Sequence, residues 1–279
     1  MHSDKENLGR LPNADMLPPA PRRPLRLGVV SFLNMFPLVN GLAELVPHWR
    51  VIAAPPSTLS RYLPDGVCDA AMLPAYDYLR ERNTYGLLEG GCIAARGTAG
   101  SVLILSDVPL SESQWVELDA HSRTSNSLAK LLLSGPLGLP DLPLVKEPMV
   151  EEESGGRPNR HPRTCVRIGD RALRQRGDYA HCVDMAEEWI RWQGLPFVFA
   201  VWATRGAGPW TEVAQYLAAL RDDNLAHLEE RLSANPAVLP RGMDHAAALR
   251  YLREDLWYDL GEKEQRGLAR FGEMLDTSE

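Results

Sequence analysis

Ser122-Arg123-Thr124-Ser125 sets three hydroxyls and a guanidinium side by side. Before it runs Trp115-Val116-Glu117-Leu118-Asp119, a short alternating stretch suited to a strand; after it runs Asn126 to Leu133, with the spacing of a partly buried helix. The four residues therefore stand at a helix start. Hydroxyls are favoured there because they accept bonds from the unpaired backbone N–H groups of the first turn. The same N–H groups, with the helix dipole behind them, can hold an anion. The motif alone leaves both readings open, a cap or an anion seat.

Little else in the chain has the look of catalysis. There is no H-E-x-x-H pair, no Walker loop and no G-x-S-x-G elbow. None of the seven histidines has an i,i+4 histidine partner. His121 adjoins the serine motif and could serve as acid or base, but a surface residue at a strand end is the simpler reading. Asn34 falls in a strand-to-helix turn, where asparagine is a good turn-maker or cap. Ser101 opens an apolar run after the glycine-containing turn Arg96 to Gly100, and Asp170 follows a strand, where aspartate commonly caps. These residues suit ligand binding better than any one reaction.

Alternating strands and helices are needed to position them. Leu25–Ser31, Trp49–Ala53 and Cys68–Leu73 read as strands. Helices are expected from Pro37 through Leu45, from a Ser57 cap through Leu63, and over Tyr76–Arg82. This series points to α/β architecture with a parallel sheet, whose ligands sit beyond the carboxyl ends of the strands. Asn34, Ser57 and Pro74 all follow such ends. Gly91–Ala95 and Ser101–Ser106 continue as strands, and a second α/β unit follows over about 107–193. Leu195–Ala203 is the most apolar run and suits a buried strand. The remainder carries helical stripes, including Val213, Tyr216, Leu217 and Leu220, then Ala247, Tyr251, Leu252 and Leu256, then Leu268, Phe271 and Leu275, read as core faces.

The 279 residues allow two domains, and 44% hydrophobic with 24% charged residues is ordinary for a soluble chain. The net charge of −7 argues against a nucleic-acid binder, which needs a basic face. Cys68, Cys92, Cys165 and Cys182 have no C-x-x-C spacing and read as buried free thiols of a reducing compartment. Residues 1–24 are polar and proline-rich without an apolar core, so a disordered tail is expected rather than a secretory signal. No run approaches the length that spans a bilayer. A cytoplasmic location is therefore expected, without nucleic-acid or membrane partners.

Three stretches together carry a family resemblance. They are Asp119-x-x-Ser122-Arg123-Thr124-Ser125, then Ile168-Gly169-Asp170-x-Ala172-Leu173, then Asp184-Met185-Ala186-Glu187-Glu188-Trp189 with Gly194 through Ala203. The opening Gly28 to Asn34 and the turn Gly100-Ser101-Val102 agree with them. From about residue 25 to 271, the chain resembles the chorismate dehydratase family of the futalosine route to menaquinone.

The resemblance implies an α/β, two-lobed, periplasmic-binding-protein-like fold of type II with the ligand cleft between the lobes. Lobe one would comprise residues 25–106 plus 198–279, and lobe two residues 107–197, with 151–163 an exposed loop outside the family core. The implied reaction removes water from chorismate to give 3-[(1-carboxyvinyl)oxy]benzoate, with no cofactor and no metal. Asn34 and Ser101 are the implied catalytic residues. Ser57, Ser122, Arg123, Thr124, Ser125, Gly169 and Asp170 are the expected substrate contacts. Chorismate is the expected small-molecule partner, and a homodimer is left open. Two alternatives stand beside this reading: the sister enzyme making 1,4-dihydroxy-6-naphthoate, and a non-catalytic cytoplasmic solute sensor.

Overall fold

The protein is represented by a computed structural model that describes residues 24–120, 122–146 and 163–277. His121, the tail before Pro24 and the expected loop up to residue 162 lie outside the described residues.

The first unit runs β1 (Arg26–Val29), α1 (Phe36–Val39), α2 (Leu42–Leu45), β2 (Arg50–Ala53), α3 (Pro56–Tyr62), β3 (Ala70–Pro74), α4 (Ala75–Arg80) and β4 (Gly86–Ala95). The second runs β5 (Val102–Ser106), β6 (Val116–Leu118), α5 (Arg123–Ser134), β7 (Leu144–Lys146), β8 (Thr164–Ile168), α6 (Gly169–Gln175), β9 (His181–Asp184) and α7 (Met185–Gln193). The chain then returns through β10 (Phe197–Thr204). It ends in α8 (Trp210–Ala226), α9 (Leu228–Ala234), α10 (His245–Arg250), a wide helical turn over Tyr251–Asp255, and α11 (Glu262–Thr277).

Among the described residues the strands form two five-stranded sheets, ordered β2-β1-β3-β10-β4 and β7-β6-β8-β5-β9. The two orders follow one pattern. Each sheet has strands of its own unit running parallel, and one strand delivered by a crossover runs antiparallel beside the edge. That strand is β10 in the first sheet, antiparallel to β3 and β4. In the second it is β5, antiparallel to β8 and β9. The expected parallel sheets are therefore mixed, because a chain entering from the other unit arrives from the opposite direction. The expectation that lobe one extends to residue 106 fails for the same reason: β5 belongs to the second sheet, so the chain crosses over residues 96–101.

The single helix expected from Pro37 to Leu45 is split in two. Gly41 takes a φ of 79°, which favours glycine, and interrupts the helix. The carbonyls freed nearby are not orphaned, since buried Asn224 of α8 donates to both Pro37 O and Asn40 O at 3.0 Å. Ser57 does not cap α3; Pro55 holds that position and no side chain caps it. Strand β9 carries little apolar signal and was not expected. Of the cysteines, Cys68, Cys92 and Cys165 are buried as expected, but Cys182 on β9 is exposed.

An apolar cluster joins the two sheets beneath the cleft. Trp189 of α7, Phe197 of β10 and Phe271 of α11 pack edge to face, with centroids 5.0 to 6.0 Å apart. All three are at most 1% exposed. Aromatic contacts of this kind add to the gain from burial. The two units are thereby joined through a shared apolar cluster.

Candidate active site

A cleft of about 720 Å³, partly open to solvent, lies between the sheets. Residues at the carboxyl ends of the strands line it. Val30, Phe32 and Asn34 follow β1, Pro56 follows β2, and Pro74 ends β3. From the second unit come Ser122, Thr124 and Ser125 after β6, and Ile168 with Gly169 at the end of β8. Ser101 and Val102 sit at the crossover, and Phe199, Ala200, Met72, Ile93 and Leu256 complete an apolar lining. Of the expected site residues, Asn34, Ser101, Ser122, Thr124, Ser125 and Gly169 are brought together here.

The serine-rich helix start is built from its own sequence. Ser122 caps α5, its Oγ accepting from Ser125 N at 3.1 Å and donating to Ser125 Oγ at 2.9 Å. Asn126 clamps the turn before it, donating to Asp119 O at 2.7 Å and accepting from Asp119 N at 3.0 Å. Thr124 Oγ1 accepts from Tyr76 N at 3.1 Å, so it is held by the other unit. The backbone N–H groups of Arg123 and Thr124 have no partner among the described residues. With the Ser125 O–H, they are the donors this turn leaves unused, and Ser122, Thr124 and Ser125 line the cleft. Capping and anion binding thus use different atoms of one turn and do not exclude each other.

Ser101 is 3% exposed, and its Oγ lies 2.9 Å from the Tyr251 hydroxyl. Its carbonyl accepts from Gly169 N at 2.7 Å, which ties the crossover to the start of α6. Gly100, with φ 67°, makes the turn that presents it; a Cβ there would lie 3.0 Å from an Asp255 carboxylate oxygen. Ala99 N and Gly100 N both donate to the Asp184 carboxylate, which also caps α7 through Ala186 N and Glu187 N. Burial pushes the Asp184 carboxyl above its ordinary range, and the four backbone donors pull it back. Asn34 Oδ1 is buried without a partner among the described residues. An unpaired buried acceptor is costly, and a ligand hydroxyl or amine would satisfy it.

The remaining expected residues stand elsewhere. Ser57 is exposed on the first turn of α3, and neighbouring Pro56 takes the place in the lining. Arg123 turns away from the lining to pair with Asp77, Nη2 to Oδ1 at 2.9 Å. Asp170 lies in the first turn of α6, half-buried and outside the lining; burial raises its carboxyl and Arg174 lowers it. Among the described residues, the lining contains no histidine, lysine, arginine, aspartate or glutamate. No group of three or more metal-ligating side chains occurs among the described residues. Tyr251, Phe32 and Phe199 were not singled out from sequence: Tyr251 reads as one member of a core stripe, and Phe199 as part of a buried strand.

This arrangement of two sheets with a ligand cleft between them defines the periplasmic-binding-protein fold. The periplasmic aliphatic sulphonate binding protein of Escherichia coli matches with a TM-score of 0.59 at 10% identity, over 92% of this chain and 93% of that one. A protein of Archaeoglobus fulgidus matches with a TM-score of 0.70 at 16% identity, over 91% and 97%. The chain belongs to the menaquinone biosynthesis family, whose model matches residues 25–277. A chorismate dehydratase of Thermus thermophilus is 29% identical over 272 residues, covering 91% of this chain and 96% of that protein. The resemblance carried by the sequence motifs is thereby borne out.

Proposed function

We propose that the protein dehydrates chorismate to 3-[(1-carboxyvinyl)oxy]benzoate, as a step of menaquinone biosynthesis in the cytoplasm. The observation that carries the reading is the cleft itself, where Asn34, Ser101 and the donor-rich start of α5 face one space. Family membership and the dehydratase relative support it.

Chorismate carries two carboxylates and a ring hydroxyl. The Arg123 and Thr124 N–H groups and the Ser125 hydroxyl suit one carboxylate. Ser101 suits the enolpyruvyl carboxylate, and the unpaired Asn34 Oδ1 suits the C4 hydroxyl as acceptor. Phe32, Phe199 and Pro56 offer apolar walls to the ring. Loss of the C3 proton and the C4 hydroxyl leaves an aromatic ring, so the protein has chiefly to orient and to steady developing charge.

Among the described residues the lining supplies no side-chain base. The enolpyruvyl carboxylate of the substrate is within its own reach of the C3 proton. In this scheme it takes that proton, the C4–O bond breaks, and the proton leaves with the hydroxide as water. Incubating the purified protein with chorismate and following the product by mass spectrometry tests the reading. Loss of one water with an aromatic ultraviolet spectrum is the expected result. Tight binding without conversion would support a sensor, and neither binding nor conversion would point to the sister enzyme.

A further inference from the structure

Tyr251 is fully buried, stands where α10 widens into a turn over Tyr251–Asp255, and touches the cleft only through other residues. Wide helical turns of this kind are rare and recur at functional sites. Its hydroxyl is 2.9 Å from Ser101 Oγ. Ser101 Oγ is the hydrogen-bond partner of that hydroxyl among the described residues. Burial keeps the phenol protonated, since it lifts the group above its ordinary value.

We propose that Tyr251 is a positioning residue that orients Ser101 through a hydrogen bond from Tyr251 O–H to Ser101 Oγ. Each hydroxyl has one hydrogen. With the Tyr251 hydrogen given to Ser101 Oγ, the Ser101 hydrogen is free to point into the cleft. The cleft therefore presents a fixed donor at Ser101, matched to a carboxylate oxygen. Without Tyr251, the Ser101 hydroxyl can rotate, and that polarity is no longer set. The inference rests on the dehydratase reading.

Tyr251→Phe removes only the hydroxyl and keeps the ring in its packing. With chorismate as substrate, kcat is expected to fall roughly 10- to 100-fold with KM within about twofold, a loss of orientation rather than of binding. Thermal unfolding and circular dichroism establish that the variant is folded. Ser101→Ala should lose activity too, and the double variant should be no slower than Ser101→Ala, because Tyr251 acts through Ser101. Wild-type kcat in Tyr251→Phe, or multiplicative losses in the double variant, would overturn the role while the reaction itself stood. Absence of turnover in the wild type would overturn the reaction, and the positioning role in it. A crystal structure of Tyr251→Phe gives a readout independent of turnover: Ser101 should leave its present rotamer, and an unchanged, fully ordered Ser101 would count against the role.

Discussion

Arg123 Nη2 and Asp77 Oδ1, 2.9 Å apart, join the start of α5 in the second unit to α4 in the first. Tyr76 N to Thr124 Oγ1, at 3.1 Å, runs alongside. An ion pair and a hydrogen bond thus tie the start of α5 to α4 across the two units. Asp77 is 7% exposed at its side chain, and Arg123 is 58% exposed. An ion pair with so much solvent around one partner contributes no more than about 1 kcal/mol. Its place makes that small energy bear on closure. Arg123→Met should raise the KM for chorismate by up to about fivefold, the equivalent of that energy, with kcat little changed. Burial raises the Asp77 carboxyl above its ordinary range, while Ser60 and Arg123 pull it down. Removing Arg123 therefore lifts it further. The stability gap between wild type and variant is full where Asp77 is charged, and closes as pH falls through the raised value. Urea unfolding across that range checks the sign; a gap that widened on acidification would exclude the pairing.

Ser122 has two separable tasks. As the cap of α5, its loss to alanine should cost about 1 kcal/mol, whereas glycine in the same place should cost only a few tenths. Both variants lose the hydroxyl that fixes Ser125. If that hydroxyl network serves the ligand, both should raise KM alike while only Ser122→Ala loses stability. Denaturant midpoints beside steady-state kinetics separate the tasks. A KM that followed stability would reduce Ser122 to a cap.

Much of this site was legible because the residues that build it are local in sequence. Ser122 to Asn126 specify a capped turn through side chains within four positions of one another, and β6 and α5 fall where periodicity places them. What was not legible depends on long-range pairing. The antiparallel insertion of β5 and β10 is set by which unit the chain is leaving, and no local pattern encodes that. Arg123 looked like an anion ligand beside three hydroxyls, but Asp77, distant in sequence, claims it. Tyr251 sits 150 positions from Ser101 and fits an apolar stripe, so its hydroxyl gave no signal. The break at Gly41 depends equally on Asn224, 184 positions beyond Asn40.

Asn34 is the acceptor in the proposed scheme, and a truncating and an isosteric replacement divide the explanation. Asn34→Ala removes both amide atoms and should lower kcat roughly 100-fold, the order seen when one oriented polar group is taken from a reacting centre. Asn34→Asp keeps the acceptor but puts a negative charge beside a dianionic substrate and removes the N–H. It should therefore raise KM as well as lower kcat. Steady-state kinetics on both folded variants checks this. Wild-type turnover in Asn34→Ala would remove Asn34 from the reaction.

Asp184 serves two places at once, and substitution can pull them apart. Oδ1 accepts from Ala186 N at 3.1 Å and Glu187 N at 3.2 Å to cap α7. Oδ2 accepts from Gly100 N at 2.7 Å to hold the turn before Ser101, and Ala99 N is shared between Oδ2 at 3.0 Å and Oδ1 at 3.1 Å. Asparagine has one acceptor oxygen and is itself a good cap. In Asp184→Asn the oxygen should stay on α7, where Ala99 N still reaches it, and the new amide hydrogens would face the N–H of Gly100. The expected cost is about 1.5–3 kcal/mol, that of a hydrogen bond to a charged acceptor. Amide exchange should then quicken most at Gly100 while Ala186 and Glu187 stay protected, and kcat should fall because Ser101 is presented from a loosened turn. Equal quickening at all four amides would show that the carboxylate serves α7 and the turn as one unit, with no separate hold on Ser101.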